Sequence, residues 1–187
     1  TSMARIAIGS YEGFIHGWDL SGINWDDPDF SDVQLSYALH AHEGSVKCLS
    51  ITQTGAKQGR ILVTGGNDEL IRIYDLSKKV ELGELKQHSG TISTLEFFGS
   101  SHLLSSGDDK SIVIWSTHDW APLHVLGGHK RAPSAVGCHP SGRLALSCSE
   151  GDRTLRLWDL AQGRVAFVSR APGEPSHLRW SPSGARY

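Results

Sequence analysis

One unit recurs along this 187-residue chain, and its recurrence constrains the fold more than any single residue does. Its clearest copy runs from Gly128-His129 to Trp158-Asp159, GHKRAPSAVGCHPSGRLALSCSEGDRTLRLWDL. A Gly-His opens it, a Pro-Ser-Gly turn divides its first half, a turn at Gly151-Asp152-Arg153 follows, and a Trp-Asp pair closes it. Ala41-His42 and Gln87-His88 open two earlier copies, which close at Tyr74-Asp75 and Trp115-Ser116. The spacing holds: His42 to His88 is 46 residues, His88 to His129 is 41, Tyr74 to Trp115 is 41 and Trp115 to Trp158 is 43. Such a period marks one supersecondary unit repeated and stacked, because a single unit cannot bury its apolar faces alone.

Within each unit, short apolar runs are separated by Gly, Asn, Asp and Ser, and no helical period competes. Arg5–Gly9 and Phe14–Asp19 read as strands joined by a turn at Ser10–Gly13. The acidic stretch Ser21–Asp32 leads to a strand at Val33–Leu39. Three sets of four strands follow from His42, with Gln53–Gly59 as a polar loop, and Ser176–Trp180 adds a last strand before the turn Ser181–Gly184. These features resemble the WD40 repeat, and the resemblance implies an all-β propeller: four blades' worth of four-stranded antiparallel sheets. The repeats fall at approximately 4–40, 41–86, 87–127 and 128–170, with a partial one at 171–187, all in a single propeller region, 1–187.

A propeller usually closes when a terminal strand completes a blade begun at the other end, which removes exposed sheet edges. Ser176–Trp180 is the expected closing strand for the blade of Trp18, within one chain or between two. A homodimer exchanging ends would make eight blades with two-fold symmetry, as closed assemblies favour. The competing expectation is that the chain is a piece of a longer propeller.

Composition narrows the function classes. A hydrophobic content of 39% and a charged content of 20% suit a globular chain. A formal net charge of −2 predicts no general attraction to nucleic acid or anionic membranes. No apolar run reaches membrane-spanning length, and TSMARIAIGSYEG lacks a signal peptide's apolar core, with Thr1-Ser2 read as an addition ahead of Met3. Cys48, Cys138 and Cys148 lie in strand-like runs, which points to buried thiols in a reducing, intracellular compartment.

His88, Ser105, Asp109 and Trp115 supply the residue types of a catalytic triad, but the same set recurs at the repeat spacing. His42, Thr64, Asp68 and Tyr74 form the second set; His129, Asp152 and Trp158 form the third, with Cys148 at the hydroxyl position. The WD40 resemblance implies a structural network: the imidazole lies between blades, the Asp accepts from it, and a hydroxyl links it to the indole. In the second set a phenol would replace the indole donor. No catalytic residue, metal site or cofactor is therefore expected. The ten His and three Cys show no Cys-x-x-Cys or His-Glu-x-x-His spacing. Asp26, Asp27, Asp29 and Asp32 lack the glycine and terminal Glu of a calcium loop. Gly9, Gly13, Gly55, Gly59, Gly65 and Gly66 read as turn residues.

A propeller carries its binding loops on one face. The earlier repeats place Glu12, Glu43 and Glu69 there, and the later ones Lys110, Lys130, Arg131 and Arg153. A face acidic on one side and basic on the other would orient a charged partner more than tighten its binding.

GSYEGFIHGWDL, HSGTISTLEF and above all HPSGRLALSCSEGDRTLRLWDLAQGRVAF, with the final WSPSGARY, resemble the PAK-kinase-interacting WD-repeat proteins, also called the Mak11 family, over most of Ala4–Tyr187. This resemblance implies a non-catalytic nucleolar protein assisting assembly of the large ribosomal subunit, with partners among pre-60S assembly factors. In animals it also implies restraint of PAK-type kinases. Family members have a longer propeller and usually a Lys-rich tail. Direct ribosomal RNA binding through Lys130 and Arg131 is the weaker expectation, because no aromatic stacking patch accompanies them.

Overall fold

The computed structural model describes residues 5–20, 23, 33–52 and 59–187. The acidic stretch with Asp26, Asp27, Asp29 and Asp32, and the loop residues 53–58, lie outside them. Four antiparallel sheets follow one another along the chain. The first holds β1 (Arg5–Gly9), β2 (Phe14–Asp19) and β3 (Gln34–His40). The second holds β4 (Val46–Ile51), β5 (Ile61–Gly66), β6 (Ile71–Asp75) and β7 (Val80–Leu85). The third holds β8 (Ile92–Phe98), β9 (His102–Gly107), β10 (Ile112–Ser116) and β11 (Pro122–Leu126). The fourth holds β12 (Ala135–Cys138), β13 (Leu144–Ser149), β14 (Thr154–Asp159) and β15 (Arg164–Arg170). In every sheet the spatial order is the chain order, so each is a meander. The described residues contain no helix, hence none long and apolar enough to cross a membrane.

Burial follows position within the sheet. All six residues of β5 are buried, as are five of six in both β9 and β13. Neighbouring sheets cover both faces of β5 and β9, and β13 has the third sheet on one face and Pro175 against Cys148 on the other, so their side chains form continuous apolar or small-residue runs instead of alternating. The outermost strands are wet: Leu82, Val125 and Phe167 are at least half exposed. Three cores lie between consecutive sheets. Ile15, Tyr37, Leu62 and Tyr74 fill the first; Ile73, Ile92, Leu103 and Trp115 the second; Leu104, Ile112, Val136 and Trp158 the third. Burying each Val, Leu or Ile side chain contributes about 1.5–3 kcal/mol. The stabilising contacts are thus largely between blades.

A register shift precedes the closing aromatic of all four sheets, at Gly17/Trp18, Ile73/Tyr74, Ile114/Trp115 and Leu157/Trp158. The bulge increases local twist and re-aims the following side chain. Gly13, at φ +82°, lets the β1–β2 turn dock on the next loop: its carbonyl accepts from the backbone N–H groups of Ala41 and His42 at 2.8 and 3.1 Å. A Cβ there would sit 2.7 Å from the Gly44 carbonyl oxygen.

The strand expected at Ser176–Trp180 does not form. A strand needs a hydrogen-bonded neighbour for its backbone, and this segment meets β12 through side chains instead. The Trp180 indole donates to the Gly137 carbonyl at 3.0 Å, and Leu178 lies where a Gly137 Cβ would be. Among the described residues, no strand pairs with the free edge of β1.

Candidate functional site

Three buried polar networks hold the loops of one rim in place. In the third blade the Trp115 indole N–H donates to Ser105 Oγ at 2.8 Å, Ser105 Oγ lies 2.8 Å from His88 Nε2, and His88 Nδ1 lies 2.8 Å from Asp109 Oδ2. One proton assignment satisfies the whole chain. The hydroxyl accepts from the indole and donates to Nε2, and Nδ1–H donates to the carboxylate of Asp109. A neutral imidazole suits this arrangement.

The fourth blade repeats it with Trp158 and His129, but the linking hydroxyl belongs to Ser147, at 2.8 and 2.7 Å, and not to Cys148. The expectation that Cys148 occupies this place is corrected by turn length. Three residues separate the bonded strand ends Gly107 and Ser111 in the third blade, whereas Glu150 through Arg153 separate the paired Ser149 and Thr154. The extra residue moves the hydroxyl from ten to eleven positions before the indole. Cys148 is fully buried, and its thiol points to the Pro175 carbonyl at 3.5 Å.

In the second blade His42 bonds Thr64 at 2.9 Å and Asp68 at 2.8 Å. The phenol does not replace the indole. Tyr74 is 2% exposed and its hydroxyl has no hydrogen-bond partner. The oxygen sits at the tip of the ring, whereas an indole N–H projects from its side. Burial first, then the negative charge of Glu81, push this phenol up to about 12.

Burial lowers the pKa of His42 and of His129, against the opposing pull of Asp68 and of Asp152. Burial alone would raise Asp152, but hydrogen bonds from Thr154, the Lys130 backbone and His129 hold its carboxyl down at about 2. Desolvation drives the thiols of Cys48 and Cys138 up to about 12, so neither is poised as a nucleophile.

The network carboxylates also shape the turns. Asp68, Asp109 and Asp152 each accept from the backbone N–H two residues on, at 3.4, 3.0 and 3.0 Å. The residue between is left-handed in every case: Glu69 at φ 68°, Lys110 at 70° and Arg153 at 54°. That conformation is uncommon for a non-glycine residue, and the Asp bonds compensate for it locally. Each turn thereby displays a charged side chain to solvent.

The remaining face candidates lie on the same rim. Glu12 is exposed in the β1–β2 turn, and Glu43 follows His42 with its backbone N–H donating to Asp68. Lys130 and Arg131 follow His129, with the Lys130 N–H donating to Asp152 at 2.8 Å. Arg153 is engaged by Glu174 at 2.6 Å. Sequence reasoning missed Ser147, and also Arg72 and Arg156, which stand two residues before the closing aromatics and carry no motif. Among the described residues, no three His, Cys, Asp or Glu side chains gather to hold a metal.

Repeated antiparallel meanders, each with a His–Asp pair tying the loop that enters the blade to the blade's own turn, define a β-propeller of the WD-repeat class. The family model described as "WD domain, G-beta repeat" matches residues 33–75, 79–116 and 120–159, and the chain belongs to that family. It is similar to "p21-activated protein kinase-interacting protein 1-like" of Gallus gallus, 40% identical over 185 residues, covering 98% of this chain and 46% of that protein. The human "p21-activated protein kinase-interacting protein 1" is 41% identical over 151 residues, covering 81% and 37%. "Protein MAK11" of Saccharomyces cerevisiae is 36% identical over 162 residues, covering 76% and 38%. The chain spans about half the length, or less, of these relatives.

Proposed function

We propose that this chain is part of a non-catalytic interaction scaffold that serves assembly of the large ribosomal subunit in the nucleolus. The observation carrying this reading is the similarity to the yeast protein named MAK11, together with a rim whose charged turns are held by buried networks instead of being left mobile. Protein partners, taken as pre-60S assembly factors, meet the rim through Glu12, Glu43 and Glu69 on its acidic side. Lys110, Lys130, Arg131 and Arg153 form its basic side. The networks leave the His, Ser and Asp side chains paired with one another, so they serve as frame and not as reacting groups.

The second reading is a docking module for a PAK-type kinase, favoured by the names of the avian and human relatives. Tagged chain incubated with nucleolar extract separates the two. Assembly factors should co-purify, and Lys130→Glu/Arg131→Glu/Arg153→Glu should lower their recovery at least tenfold. Recovery of a kinase without assembly factors would establish the second reading, and recovery indifferent to the triple variant would remove the basic side from the interface.

A further inference from the structure

Arg72 in the second blade and Arg156 in the fourth occupy the same place in the repeat, two residues before the closing aromatic. Arg72 is paired across the sheet with Glu84, its neighbour Tyr74 is paired with Glu81, and the Arg72 guanidinium bonds Glu81 at 3.1 Å. In the fourth blade the corresponding partners of Arg156 and Trp158 are Val168 and Val165. Both carboxylates are gone. The third blade has no cation to satisfy, because Val113 stands at that position.

Arg156 therefore keeps a half-buried guanidinium with no hydrogen bond or ion pair among the described residues; its Nε is shielded and unpartnered, as is that of Arg72, so the two differ at the Nη groups, where Arg72 holds Glu81 and Arg156 holds nothing. It lies against Gly128, where a Cβ would come within 2.7 Å of Nη1. It also borders a cavity of about 300 Å3 that is lined by Lys130, Arg170, Thr154 and Ser169 as well. Thr154 is paired with Arg170 and Arg156 with Val168, so all four project from one face of the β14–β15 ladder. Asp152 lines the cavity too, but both its oxygens are occupied, Oδ1 by Thr154 and Oδ2 by His129 and the Lys130 N–H.

Three cations, Lys130, Arg156 and Arg170, thus converge on one small concavity; among the described residues lining it, the one carboxylate, Asp152, is already bound elsewhere, in part by the Thr154 hydroxyl. We propose that this cavity receives the phosphoryl group of a phosphorylated segment of a partner protein. The inference rests on the scaffold reading above and names the chemistry by which one partner is gripped. A phosphoryl group carries about −1.5 to −2 charge and three acceptor oxygens, and Arg binds such a group through parallel N–H donors. Exposed Val168 beside the cavity offers contact to an apolar neighbour of the phosphorylated residue. A nucleic acid strand would need a track of cations with stacking rings, and the chain's net charge of −2 opposes a polyanion.

The test is fluorescence anisotropy of the full chain with a labelled degenerate phosphoserine peptide pool, its unphosphorylated counterpart, and a labelled single-stranded RNA of about twelve nucleotides. Phosphorylation should tighten binding at least tenfold. Arg156→Val, which installs the third blade's residue, should abolish that gain. Val165→Glu should abolish it too, by returning the carboxylate that Arg72 enjoys, and this variant should melt no lower than wild type. Lys78→Glu, a larger charge change on the second blade, should leave binding intact. Equal affinity for both pools, a phosphate preference surviving Arg156→Val and Val165→Glu, or tighter binding of the RNA would each overturn the proposal. Assembly factors still captured by Arg156→Val, or from phosphatase-treated extract, would overturn this site while leaving the scaffold standing.

Discussion

In the second blade the closing aromatic is Tyr74, whose hydroxyl finds no partner, while the cation two residues earlier is held by Glu81. In the fourth blade Trp158 donates to Ser147, and Arg156 is the group left over. One repeat has completed its interior and left its flank unbalanced; the other has done the reverse. An unsatisfied interior group only costs stability, at about 1–3 kcal/mol. An unpaired cation on the flank is open to a ligand. Repetition gives every blade the same frame, and the departures from it separate defects of stability from candidates for binding.

The largest test of this contrast is deletion of the linking hydroxyls. Ser147→Ala strands the indole N–H of Trp158 and Nε2 of His129, and should cost about 2–4 kcal/mol in urea denaturation. Thr64→Val strands His42 alone, and should cost about 1–2 kcal/mol. Equal losses would break the comparison. Cys148→Ala, which removes the weak thiol contacts to Pro175 and Ser134, should cost less than Ser147→Ala; the opposite order would restore Cys148 to the network.

The pH response comes next. His42 and His129 have folded pKa values below the unfolded value of 6.5. The unfolded chain therefore binds more protons under that pH, and stability present above 6.5 should decline as pH falls through this region. Asp109 and Asp152, depressed from 3.8, add a second loss of the same sign below 3.8, extending toward about 2 for Asp152. Denaturation midpoints rising as pH drops from 7 to 5 would contradict a neutral imidazole. Opposite in sign is Tyr74→Phe, which removes a buried, unpaired hydroxyl and should raise stability by about 1 kcal/mol or more. Trp158→Phe, which loses a made bond and ring volume, should cost about 2 kcal/mol.

The periodicity of His42, His88 and His129 against Tyr74, Trp115 and Trp158 was enough to read the repeats from the chain, and the WD40 resemblance implied most of the network. Short β-branched runs between Gly, Asn and Asp placed the strands, because backbone pairing and side-chain alternation are local rules. Counting failed where a turn grew by one residue. Spacing from the closing aromatic points to Cys148, ten residues before Trp158, and only the ladder between β13 and β14 shows that Ser147 faces the network. Ser176–Trp180 has a strand's residues, but whether it became one depended on a hydrogen-bonding neighbour.

The sequence by itself determined that this is a chain of repeated antiparallel units, that His and Asp of each unit belong together, and that charged residues crown the turns. The repeats and the charged turns follow from composition and spacing along the backbone, and the pairing of His with Asp from the resemblance to the WD40 repeat. Only the tertiary structure decided that the Tyr74 hydroxyl is stranded, that Ser147 is the linking group, and that Arg156 lacks the carboxylates supporting Arg72. Each of these depends on which side chain stands opposite another across a strand or blade boundary, and a one-residue change in register exchanges the partners.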